Sequence, residues 1–392
     1  MVNSSLQHPG KIWHRYSIVV AAVTVLLIWW GAATTTEKAG MAFADWPLSQ
    51  GSLNPDGWLK RLPYFLEHGH RLLASLVGFL TLGLFATAFV RSWKNALELV
   101  VVVVALAAMV ALVAMAGAEK MVAERKEPFW WAATAVAAGV MVWLVYSWRW
   151  RQWSLTCKLS ALALLLVTLQ ALMGGIRVTE ISDAFAVIHG CLAQGFFCLL
   201  IMIILASAPQ WSEWKPVMGG STRSTLRLVT SFLCSAVFAQ LILGALMRHH
   251  HRFGLADTGI LLTGGAWLPP FDKENEILVV MFFHKYWAFL VTAITLSTSW
   301  WTFRNLKAGH LLRRLMGGMS ALLGVQVTLG ICVIMMGKSF WITNLHVLNG
   351  LMILALSFVT AMFAWRSGEA GGEAPSSAAE ALAVKVDANK HE

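Results

Sequence analysis

Ten runs of apolar residues constrain this chain more than any other feature. They fall at 17–35, 70–91, 97–117, 130–148, 157–176, 184–206, 226–247, 278–302, 312–336 and 342–365. Each comes close to the roughly 20 residues a helix needs to cross the hydrocarbon core of a bilayer. Inside lipid every backbone N–H and C=O must be satisfied within the segment, so the runs predict helices. Composition agrees: 58% of residues are hydrophobic and 13% charged, against about 45–50% and 25% in a soluble domain. The expected fold class is an all-α integral membrane protein with ten transmembrane helices. In such a chain a net charge of +10 reports cytoplasmic Lys and Arg, so the expected surroundings are membrane lipid and no nucleic acid. Tryptophan pairs such as Trp29-Trp30, Trp130-Trp131 and Trp300-Trp301 fit interfacial belts.

Lys and Arg in the short loops set the orientation. Lys11, Arg15, Arg91, Lys94, Arg149, Arg151, Lys215, Arg223, Arg304 and Arg313 all fall on one side, which places both termini in the cytoplasm. Residues 1–35 mimic a signal peptide, but the apolar run is of full spanning length and reads as an uncleaved helix. The expected divisions are a cytoplasmic N-terminus (1–16), an N-terminal half (17–207), a cytoplasmic linker (208–225), a C-terminal half (226–366) and a disordered cytoplasmic tail (367–392). The expected location is the inner (plasma) membrane of the cell.

The two halves repeat one another. Gly40 lies 30 residues before His70, and Gly254 lies 30 before His284. Gly51 and Gly265 precede the same histidines by 19, and Pro55 and Pro269 by 15. Gln170-x3-Gly174 leads to His189 as Gln326-x3-Gly330 leads to His346, and Gln240-x3-Gly244 carries the same pair. Such spacing marks a tandem duplication. His70 to His189 spans 119 residues and His284 to His346 only 62. The surplus of 57 is the length of a helical hairpin, assigned to 97–150. The expected architecture is two pseudo-symmetric four-helix bundles plus this inserted hairpin.

Topology puts His70, His189, His284 and His346 near the outer face, with His70, His284 and His346 at the mouths of their helices, His189 near the start of its own, and one pair in each half. Two inward imidazoles at matching depth in a four-helix bundle hold a haem iron by both axial positions. Zinc or copper would want three or four N/S ligands together, which neither half supplies. Arg71, Arg177, Arg248 and Lys285 are candidate contacts for haem propionates, against a plain interfacial role. Glu67 is three residues before His70, where the other half has Met281. It could relay protons or orient water or an oxygen species, or simply pair with Arg71 or Arg61. His249, His250 and His251 read as the polar start of a loop, with a surface metal site as the alternative, and His68 as a second layer or solvated. The five cysteines all lie in apolar segments and read as small hydrophobes.

At these residues the chain resembles the haem A synthase family. The matching stretches are Ala39-Gly40-Met41-Ala42 through Asp45-Trp46-Pro47, Glu67-x-x-His70-Arg71, Gln170-x3-Gly174-Gly175 and His189, Gln240-x3-Gly244, Arg248-His249, Gly254-Leu255-Ala256, His284 and His346. The resemblance implies oxidation of the C8 methyl of haem O to the formyl of haem A by successive hydroxylations. It implies a haem b cofactor held by His284 and His346, a substrate haem held by His70 and His189, and a catalytic part for Glu67. Partners implied are haem O, molecular oxygen or a water-derived oxygen, an electron donor and haem O synthase. Rival readings are a two-haem b-type electron carrier and a haem-handling assembly factor without oxygenation. The chain departs from the family in having ten helices instead of eight, Lys285 after His284, and no cysteine pair in the first outer loop.

Overall fold

The computed structural model describes residues 10–117, 123–209, 211, 213, 216–249, 259–272 and 274–369. Ten long helices make up almost all of it: α1 (Lys11–Thr36), α2 (Leu62–Phe89), α3 (Trp93–Ala116), α4 (Ala123–Trp150), α5 (Leu155–Thr179), α6 (Asp183–Ser207), α7 (Gly220–His249), α8 (Glu276–Asn305), α9 (Leu311–Met335) and α10 (Phe340–Arg366). Each is long and apolar enough to cross a membrane. The chain is an all-α, multi-pass membrane protein.

Packing closes two rings of four. Helices α1, α2, α5 and α6 form one bundle, and α7, α8, α9 and α10 the other. They meet where α1 and α6 lie against α10 and where α6 lies against α7. The pair α3–α4 packs as a hairpin against α5 and α2, outside the first ring. A bidentate pair, Arg151 to Glu98 at 2.6 and 2.8 Å, ties the foot of α4 to α3. At the other end Gly117 lies close against Thr179, the last residue of α5.

Membrane solvation shows in what the helices bury. Ser17, Thr24, Thr81, Ser160, Thr230, Thr295 and Thr360 are buried, while Phe79, Val101, Val104, Leu228 and Phe232 face outward. Lipid is as apolar as leucine, so nothing drives leucine inward, and small hydroxyl residues allow close helix contact. Their hydroxyls bond back along the helix, as Thr24 to the Val20 carbonyl at 2.8 Å and Thr230 to that of Leu226 at 2.6 Å.

Two expectations need correction. His70, His284 and His346 do not stand at the helix mouths. Helix α10 begins at Phe340, six residues before His346; α2 begins at Leu62 with Pro63 in its first turn and α8 at Glu276, so His70 and His284 lie eight residues inside. That is about 12 Å along the axis. The run 70–91 starts late because Glu67, His68 and His70 interrupt the apolar residues 62–66, where a proline is well placed at a helix start, whereas the run 278–302 already covers the apolar opening of α8. The tail also keeps some order at first: Gly368–Glu369 pairs in parallel with Val217–Met218. Residues 370–392 lie outside the described residues.

Candidate functional site

The four histidines sit as two matched pairs. His189 and His346 each lie six residues inside their helices, as His70 and His284 each lie eight inside theirs. In the first bundle the rings of His70 and His189 face one another with centroids 6.4 Å apart and planes at 82°. With metal–nitrogen bonds of about 2 Å, imidazoles on opposite faces of one metal ion stand about 6 Å apart. His284 and His346 lie within electrostatic reach of each other in the second bundle.

Each ring rests on a glycine of the preceding helix. A Cβ at Gly31 would stand 2.9 Å from His70 Cε1, and one at Gly244 3.1 Å from His284 Cε1. At Gly174 and Gly330 it would stand 3.3 Å from His189 and His346 Cε1. Gly174, Gly244 and Gly330, which marked the repeat, are therefore cradles for three of the imidazoles, and Gly31 is the fourth. Among the described residues no three His, Cys, Asp or Glu side chains converge as a metal site, which leaves these pairs. Axial ligation of a haem needs two inward imidazoles and no third ligand, so the residues fit that group. The Nδ1 atom of His70 is buried without a hydrogen-bond partner, as in a ring held by helix packing.

The loops over the two sites are pinned by one repeated device. Arg71 Nη1 donates to the carbonyls of Asp45, at 2.7 Å, and Leu48. Lys285 Nζ donates to those of Gly259 and Leu262 at 2.6 and 2.9 Å, the equivalent positions of the second half. Both loops then turn tightly. Gln50 and Gly51 have φ of 53° and 69°, and Gly264 and Gly265 have 62° and 78°. The turns are closed by the bridges Ser49↔Ser52 and Thr263↔Ala266. Two left-handed residues in succession make the tight turn that glycine favours, which explains why Gly51 and Gly265 keep register. Arg71 and Lys285 thus both donate to loop carbonyls, and Arg71 donates also to Ser49 Oγ and Glu67.

Beyond this frame the halves diverge. Glu67 is buried, with Oε1 2.5 Å from Arg71 Nη2 and Oε2 accepting from the Phe43 N–H at 3.0 Å. Of the two arginines considered for it, Arg71 is the partner, and Arg61 stacks over Tyr64. His68 is buried rather than solvated, 2.9 Å from Ser49 Oγ. In the second half the histidines have amide neighbours instead. Gln240 Nε2 lies 3.2 and 3.4 Å from the two ring nitrogens of His284. Gln326 Nε2 lies 3.3 Å from His346 Nε2, and Asn349 donates to Gln326 Oε1 at 2.8 Å. The first half has Leu27 where the second has Gln240, and the side-chain amide of Gln170 has no partner. Sequence spacing singled out Gln240 and Gln326 only as landmarks and missed Asn349. A lone amide among apolar residues gives no sign of the ring it faces.

Arg177 and Arg248 lie on the side where the bundles meet. The Arg177 guanidinium presses on Gly40 of the first loop and is within electrostatic reach of Glu67. Arg248 crosses between bundles: its Nη2 donates to Ala32 O of α1 and to Thr36 Oγ1 at 2.8 Å. Thr36 also reaches Asn344 of α10 at 3.2 Å. Burial, then the charges of Lys38 and Arg248, lower the nearby Lys338 ammonium to about 8. His249 is the last residue of α7 rather than part of a loop, and His250 and His251 lie outside the described residues. All five cysteines are free, with Cys157, Cys191 and Cys198 buried.

Comparison with known proteins follows the same lines. The family model COX15-CtaA, described as cytochrome oxidase assembly protein, matches residues 130–358. That span holds three of the four histidines and lies beyond His70 and Glu67. A protein of Beijerinckia indica subsp. indica named heme A synthase is 28% identical over 192 residues, 45% of this chain and 51% of the relative. The chain thus matches about half the length of that relative.

Proposed function

This chain belongs to the COX15-CtaA family of cytochrome oxidase assembly proteins, and from that premise we propose that it is a haem A synthase, oxidising the C8 methyl of haem O to a formyl group. Two hydroxylations of the methyl give a geminal diol, which loses water to the aldehyde. With molecular oxygen, each hydroxylation takes one O2 with two electrons and two protons from an external donor and releases one water; with water as the oxygen source, each two-electron oxidation instead passes its electrons to an acceptor. A haem b held between His284 and His346 supplies electron relay when bound. His70 and His189 hold the substrate haem, both sites lie toward the outer face of the inner membrane, and both termini are cytoplasmic. Haem O synthase is the natural supplier of the substrate.

The observation that carries this reading is the difference between two otherwise matched sites. Gln240 stands against His284, and Gln326, itself held by Asn349, stands against His346, as suits a resident group whose ligands must keep one orientation. Around His70 and His189 those contacts are missing, and a buried carboxylate stands one turn from the ligand. Glu67 holds the first loop over this site through Phe43 and Arg71, and is the candidate for moving a proton or orienting oxygen there. A carrier of electrons alone has no need of that asymmetry.

Pigments extracted from membranes containing the chain and a source of haem O decide the matter. Haem A and hydroxylated haem O are expected, and Glu67→Ala or His70→Ala should abolish haem A. Recovery of haem B alone, with haem O and a reductant supplied, would refute the assignment.

A further inference from the structure

The end of α7 belongs to the second bundle by sequence but is built into the first. Arg248 fastens it to α1 through Ala32 O and Thr36 Oγ1. The next residue, His249, then falls against α6. Its Nε2 would lie 3.9 Å from a Cβ at Gly190, the residue that follows His189. It stands within electrostatic reach of both His189 and Arg177. Arg177 is brought in from the end of α5 and held against Gly40. Two nitrogen donors from different bundles therefore converge beside one ligand of the first site.

We propose that His249 completes the first site from across the bundle interface, acting with Arg177 as the donor pair for a carboxylate of the macrocycle held between His70 and His189. The inference rests on the haem reading of that pair. An imidazole N–H and a guanidinium both donate, and hydrogen bonds to an ionised carboxylate are the strong kind. Glycine at 190 leaves α6 without a side chain at the point where the ring approaches. A consequence is that the first bundle does not hold a complete substrate site by itself.

The test uses the purified full-length chain with haem b in place, titrated with deuterohaem and, separately, with its dimethyl ester, while the Soret band is followed. The native chain should prefer the free acid by about ten-fold or more, the scale of one charge-assisted hydrogen bond. His249→Leu should reduce that preference and leave ester binding unchanged, and Arg177→Gln should do the same. His249→Gln, which keeps an N–H donor, should restore most of it, and an unaltered haem b spectrum shows that each variant is folded. Equal weakening of both ligands by His249→Leu, or no change in either, overturns the proposal. His70→Ala separates it from the reading beneath: if the titration survives that change, the pair does not hold the added haem. An acid preference still abolished by His249→Leu would then sustain the carboxylate role alone.

Discussion

At the scale of single residues, the imidazoles depend on glycines that touch them. Adding a side chain at such a contact forces the ring to move, and overpacking of this kind costs about 1–3 kcal/mol. Helix α9 offers an internal comparison. Gly330 lies against His346, whereas a Cβ at Gly324 meets nothing within 4 Å. Gly330→Leu should therefore shift or erase the low-spin haem spectrum of the second bundle, and Gly324→Leu should leave it intact, as read by optical spectroscopy of the purified protein. The spacing of the sequence picked out these glycines as landmarks without giving their reason. A missing side chain declares itself only once its neighbour is placed. The same holds for Asn349, whose part is to orient Gln326 behind His346.

At the scale of elements, a cation one residue after His70 or His284 pins each long loop. Arg71 and Lys285 were read from sequence as candidates for propionates, because a charge near a haem suggests its anions. In the structure both donate to backbone carbonyls at repeat-equivalent positions. Arg71 also neutralises Glu67, so Arg71→Gln leaves a buried carboxylate without its charged partner. Removing one member of a buried pair typically costs about 3–5 kcal/mol. Arg71→Gln is thus expected to lower thermal stability and to expose the 42–61 loop to protease, whereas Lys285→Gln, with Met281 where Arg71 has Glu67, should loosen the loop that it holds through Gly259 and Leu262. Limited proteolysis of the two variants measures this. Helix number was legible because apolar length alone sets it. The start of α2 was not, since Glu67, His68 and His70 break its apolar pattern and hid the turns before them. That error left His70 at a rim when it lies two turns inside.

On the scale of the whole molecule, two bundles of matched design share one interface and differ in what surrounds their histidines. The duplication and the inserted hairpin were legible as spacing, because register between ligands survives wherever the same fold is built twice. How the bundles face each other was not, because apolar surfaces turned to lipid and to protein look alike in sequence. The Arg248 crossing to α1 and the approach of His249 to α6 appear only in three dimensions. Haem content per chain, measured on protein loaded with haem and divided between the halves by paired substitutions, tests the two-site design most directly. The native chain should hold two haems. His284→Ala with His346→Ala should remove one of them together with the low-spin haem b spectrum, and His70→Ala with His189→Ala should remove the other and spare that spectrum. A haem content unchanged by either pair, or a haem b spectrum lost with the first-bundle pair and kept with the second, would contradict it.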